Sequence, residues 1–216
     1  MSCHATILDQ WLLSIVILLL WLTAVIAGSL VLIDYEARPG QMVVQAGSWP
    51  TESRLERSSD RPTLCMFAHP RCPCTRASIE KLALLASQCR GLVDIKVLFF
   101  CPNANDPAWC QSDTITSAKT IPGVDVEFDC ESSEAKRFGA TISGHVMLFN
   151  PQGELMFNGG ITNARGQFGA SDGESRIISL LTSPNEPEPA NEKAQVFPVY
   201  GCVLCEPDIA PRNSSQ

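Results

Sequence analysis

Two cysteines stand one proline apart in "FAHPRCPCTR", residues 67–76, after an apolar run and before a helix-like pattern. Such thiols serve as a redox pair, as part of a metal site, or as incidental side chains. A cysteine at a helix N-terminus faces unpaired backbone N–H groups and the positive end of the helix dipole. Both favour thiolate over thiol and so raise reactivity. His69, Arg71 and Arg76 add cations nearby, with Arg71 the candidate for thiolate stabilisation. Pro73 restricts the turn into the helix. Cys72, nearer the exposed helix end, is the expected attacking thiol, with Cys74 its partner. Positions i and i+2 point to different sides of a helix, so a Cys72–Cys74 disulfide needs a strained, non-helical turn. Strain would make that pair more oxidising than a common Cys-x-x-Cys pair.

The elements that would position these thiols alternate along the chain. "TLCMFAHP" reads as a short buried strand. "CTRASIEKLALLASQC" places Ile79, Leu82, Ala86 and Cys89 on one helical face. "LVDIKVLFF" predicts a strand, and "DPAWCQSDTITSAKT" (106–120) a helix opened by Asp-Pro. "VDVEFD" alternates as a strand, and "SEAKRFG" is a short helix with a glycine cap. "HVMLFN" and "ELMFNGG" flank "PQG" as a hairpin, and "ESRIISLLTS" supplies a last helix. The order β-α-β-α-β-α-β-β-α predicts an α/β domain, a partly parallel sheet covered on both faces with an antiparallel edge.

Residues 11–33 carry no charge and, at about 1.5 Å per residue, span the roughly 30 Å hydrocarbon core. The first ten residues contain no Lys or Arg, and the run exceeds a usual signal-peptide core, so a retained single-pass anchor is expected. The division expected is a tail (1–10), a transmembrane helix (11–33), a linker (34–60), the α/β domain (61–182) and a Pro-rich acidic tail (183–216). The linker, with its Pro, Gly and Ser, reads as a tether. The chain carries ten cysteines, nine of them after the apolar run, which suits an oxidising compartment and an extracytoplasmic, periplasmic domain. Cys65 and Cys89 read as small buried apolar residues. A net charge of −7 without a basic block argues against nucleic acid.

The strand ending "CMFAHP", the Cys-Pro-Cys opening a helix and the "FGATISGHVMLFNPQGELMFNGGI" hairpin resemble a thioredoxin-fold protein over residues 61–182. The tail "VFPVYGC" resembles that of membrane-anchored RedB-type proteins. The resemblance implies a thioredoxin-like fold, a thiol–disulfide oxidoreductase activity without cofactor, and protein thiols and disulfides of the cell envelope as partners. It also aligns Gly144 with the usual cis-proline, followed by His145, a candidate proton partner for the leaving thiolate. Two alternatives remain open. His69, Cys72, Cys74 and His145 would bind copper if the chain worked as Sco-like delivery proteins do. A redox-inert adaptor would use the fold alone. Cys202 and Cys205 form a second candidate pair, redox or structural; Glu206 stands where haem attachment needs histidine. Cys101 and Cys110 bracket a loop they would staple. The glycine-rich 159–175 segment lacks a phosphate-cradle pattern and reads as a loop beside the site.

Overall fold

The structure is a computed structural model that describes residues 2–41, 47–102, 109, 111–183 and 196–204. The chain divides into two units, Met1–Arg38 and Pro39–Gln216. The first is one helix, α1 (Ser2–Ala37). From Gln10 to Ala37 it is long and apolar enough to cross a membrane, a test a signal sequence also meets. Ser14 and Thr23 donate to the carbonyls of Gln10 and Leu19, at 2.9 and 2.7 Å, so neither hydroxyl interrupts the helix.

The second unit follows the predicted alternation. Its elements are β1 (Thr63–Ala68), α2 (Pro73–Gln88), β2 (Asp94–Cys101), α3 (Asp113–Lys119) and β3 (Val124–Cys130). They continue as α4 (Ser133–Phe138), β4 (His145–Phe149), β5 (Leu155–Gly159) and α5 (Asp172–Thr182). Among the described residues the strands form one sheet in the order β3-β2-β1-β4-β5. β1, β2 and β3 pair in parallel, while β4 runs antiparallel to both β1 and β5. Every residue of the central β1 is buried, as a strand covered on both faces requires.

Alternation along the strands splits the core in two. Leu64, Met66, Val97, Phe99, Val146 and Leu148 face a layer containing Ile79, Leu82 and Leu85 of α2 and Ile177 of α5. Cys65, Phe67, Leu98, Met147 and Phe149 face Phe138 of α4. α4 is only six residues long, too short to cover that face. Trp49 and Leu55 complete the layer; Trp49 meets Phe138 and Phe149 edge-on at 5.1 Å each. The predicted tether is therefore corrected in part: Ser48 pairs with Glu154, Ser53 donates to Glu134, and 47–62 belongs to the domain.

Local signals explain the helix ends. Ser132, at the start of α4, makes no side-chain cap. Buried Asp129 accepts the amides of Glu134 and Ala135 instead, each at 2.8 Å. α3 starts at Asp113, where the Ser112 hydroxyl accepts from the Ile115 amide at 3.2 Å. The predicted Asp-Pro opening lies outside the described residues. α2 and α5 are joined by a buried ion pair, Lys81 with Glu174. Replacing Glu174 with Ala strands an ammonium among apolar neighbours, at a cost of about 3–5 kcal/mol. Urea unfolding of the variant should show that loss; a change under about 1 kcal/mol would mean the lysine escapes to solvent.

Candidate functional site

β1 delivers the chain to the N-terminus of α2, where the two thiols part company. Cys72 is the N-cap, extended at φ −82° and ψ 124°, and Pro73 opens the helix without needing an amide partner. Cys74 is already helical. The Cys72 amide donates to the His69 carbonyl at 3.1 Å, closing the turn. A buried hydroxyl pair fixes this corner to the loop before β4. Ser143 Oγ accepts the His69 amide at 2.8 Å and lies 2.9 Å from Thr75 Oγ1, which donates to the His69 carbonyl. Gly144 follows at φ +89°, where an added Cβ would meet Ser78 Oγ at 2.9 Å. Both the backbone angle and the close approach call for glycine at the expected cis-proline position.

A third sulfur completes the cluster. Cys202 Sγ lies 2.7 Å from Cys72 Sγ, though 130 residues separate them. The segment 197–204 reaches the site as a strap. Phe197 stacks on Phe157 with ring centroids 5.0 Å apart, and its amide donates to the Asn158 carbonyl at 3.2 Å. Further on, Val203 pairs antiparallel with Ile142; Ser143 N donates to Cys202 O and Leu204 N to Thr141 O, each at 2.8 Å. Gly201 passes so close that a Cβ there would stand 1.9 Å from the Ser143 carbonyl oxygen. Arg165, from the glycine-rich loop, donates to the Gly201 carbonyl at 2.6 Å.

The three thiols have unlike affinities for their protons. Burial pushes the Cys72 thiol up, but hydrogen bonds from the Cys202 side chain and from the amides of Cys202, Cys74 and Thr75 outweigh it. Cys72 ends below the ordinary cysteine value. Cys74 is pushed up by burial and then by the charge on Cys72, against the opposing pull of Arg165. Burial and the hydrogen bond to Cys72 push Cys202 up to about 12, again opposed by Arg165. The arrangement is one sulfur of lowered pKa held by two thiols and by backbone amides of α2 and of Cys202.

The remaining expected site residues are more dispersed. Arg71 lies over the Trp109 ring, 3.9 Å from its centroid, and it is Arg165 that acts electrostatically on Cys74 and Cys202. Arg165 was legible only as the cation of its loop. His69 stacks on Phe100 at 5.3 Å, and its Nδ1 accepts the Arg71 amide at 3.2 Å. Burial, then the Arg71 charge, lowers its pKa. His145 is wholly buried and not a surface strand residue; its Nε2 meets Asn158 Oδ1 at 2.5 Å. Burial lowers its pKa to about 4, against the pull of Asn158. The set His69, Cys72, Cys74, His145 is not gathered: among the described residues no three His, Cys, Asp or Glu side chains converge as a metal ion needs.

Of the other thiols, Cys65 and Cys89 are fully buried, and burial pushes both up. Cys101 faces Cys130 across the β2–β3 pairing. Cys110 and Cys205 lie outside the described residues, so the expected Cys101–Cys110 staple and the Cys205 half of the tail pair do too. A groove of about 260 Å³ opens beside Cys72, between α2 and the start of α3, with Arg71, Arg76, Asp113 and Thr114 on its walls.

No family model matches the chain, and no curated protein matches it. Solved structures do. An uncharacterized conserved protein from Geobacillus kaustophilus is 16% identical over 78% of this chain and 89% of that one, with a TM-score of 0.53. The hypothetical protein SMc02350 from Sinorhizobium meliloti 1021 is 21% identical over 68% and 80%, with a TM-score of 0.51. A thioredoxin-like protein solved in its oxidized form is 13% identical over 70% and 97%, at 0.43. At such identities the likeness is one of fold. The fold is thioredoxin-like: a mixed five-stranded sheet flanked by helices, with the Cys-Pro-Cys corner after its central strand.

Two titrations check these electrostatics. In the reduced protein, thiolate absorbance should rise first for one sulfur, at lower pH than for an ordinary cysteine. Cys72→Ser should abolish that step and Cys202→Ser should move it upward; an unshifted step in both would refute the assignment. For His145, the unfolded chain takes up a proton below pH 6.5 that the folded chain refuses until about pH 4. Stability is lost across that window as pH falls, by up to roughly 3 kcal/mol. The gap between the parent domain and His145→Gln should narrow accordingly; a gap independent of pH would show the ring charging in place.

Proposed function

We propose that this chain is a thiol–disulfide oxidoreductase anchored to a membrane through α1, with Cys72 as its nucleophile. The observation that carries the reading is the Cys72 sulfur itself. It sits at a helix N-terminus, below the ordinary cysteine pKa despite burial, and beside an open groove. A thiolate at neutral pH attacks a disulfide; a thiol does not. Cys72 is 3% exposed, so a client sulfur reaches it through the groove. Attack forms a mixed disulfide and releases the client's other sulfur as thiolate. A neighbouring thiol of the chain, Cys74 in the simplest case, then displaces the client and closes an internal disulfide.

His145, neutral and held by Asn158, fits a packing role. Arg71, stacked on Trp109, shapes the groove wall and gives it positive charge. The cysteine-rich composition supports an extracytoplasmic domain, and the sequence likeness to RedB-type proteins supports clients in the cell envelope. No grouping among the described residues favours copper delivery.

The full chain in detergent, given dithiothreitol, should reduce the disulfides of insulin faster than dithiothreitol alone. Cys72→Ser should return the rate to that background. A parent protein no faster than background would leave only the adaptor reading.

A further inference from the structure

Three features of the site take no covalent part in an exchange confined to Cys-Pro-Cys: the strap, Arg165 and the sulfur of Cys202. We infer that Cys202 is the thiol that resolves Cys72, so that the working disulfide links α2 to the C-terminal strap. This rests on the exchange chemistry proposed above and names its second thiol.

Geometry favours Cys202 over Cys74. Its sulfur is already 2.7 Å from Cys72 Sγ. Cys74 lies two residues along, past a proline that has entered the helix; its thiol hydrogen-bonds Cys72, but a bond between them would require the first turn to open. The strap needs no such change. It is held by the Ile142–Val203 pairing, by the amides of Ser143 and Leu204, and by Arg165 on the Gly201 carbonyl. The strap does not line the groove. The groove walls come from α2, the turn before it and the start of α3, and none of them is a strap residue. A client bound there leaves Cys202 in place.

The chemistry balances. Cys72 thiolate attacks a protein disulfide, the S–S bond of the client breaks, and one client sulfur leaves as thiolate. Burial still holds the Cys202 proton, but Cys72 is then neutral, so its hydrogen bond and its charge no longer add to that hold, while Arg165 favours a thiolate there. The Cys202 proton passes to the departed client thiolate. Cys202 attacks Cys72 Sγ, the mixed disulfide breaks, and the second client sulfur leaves with its electron pair. The client gains two electrons; Cys72 and Cys202 lose two and become a disulfide. The reverse sequence oxidises a client dithiol.

Peptide mapping tests this. The reduced full chain in detergent is treated with oxidised glutathione, alkylated and cut with trypsin. Cleavage after Arg71 and Arg76 isolates residues 72–76, and cleavage after Lys193 and Arg212 isolates 194–212. We expect these two peptides joined, with fragmentation placing the bond on Cys202. In Cys202→Ser a glutathione adduct on Cys72 should accumulate, with insulin reduction slowed about tenfold or more. Gly201→Ala, whose Cβ would displace the strap from Ser143, should lower the yield of the joined peptides with both thiols intact. An internal bond in 72–76, a Cys202–Cys205 bond, or parental turnover by Cys202→Ser overturns the inference and leaves the exchange reading standing. Absence of any adduct on Cys72, in parent and variant alike, overturns both.

Discussion

The stabilisation of negative charge on one buried sulfur is the constraint around which this corner of the domain is arranged. Burial alone would hold Cys72 as a thiol. What reverses the sign is a set of donors that all aim at a single point: amides of the first turn of α2, the amide of Cys202 and the Cys202 thiol. Such donors help only if they cannot turn away. The Ser143–Thr75 hydroxyl pair, the tight glycine at 144 and the central position of β1 hold the corner rigid. Pro73 contributes by removing an amide that would otherwise need a partner.

Much of this was legible in the sequence because its signals are local. Apolar periodicity located α2, with Ile79, Leu82, Ala86 and Cys89 all on its buried face. Turn chemistry at "PQG" located the hairpin, and Gly139, at φ 65°, ended α4 as expected. The Cys-Pro-Cys corner was recognisable because helix N-terminal electrostatics belong to the first turn alone.

What the sequence hid depends on distant parts of the chain. Nothing near Cys202 announces that its backbone pairs with residues 141–143. Nothing local singles out Arg165, because its target is a carbonyl 36 residues away. The composition of 38–62 is that of a spacer, yet Trp49 and Leu55 are needed where α4 is too short to cover the sheet. His145 was misleading in a related way. Its position beside Gly144 suggested chemistry, but the residue that decides its state, Asn158, lies on the neighbouring strand. The fold class is common to many activities; the third sulfur and its strap are features of this chain's own tail.

The strap is also a cover. It occupies the Ser143 amide and the Thr141 carbonyl, lays Phe197 over Phe157, and receives the Gly40 amide on the Val199 carbonyl. A chain shortened before residue 196 would bare an unpaired edge and an aromatic face together, the combination that invites neighbouring molecules to add strands. Proteolytic trimming of the tail would thus expose that edge and that aromatic face together.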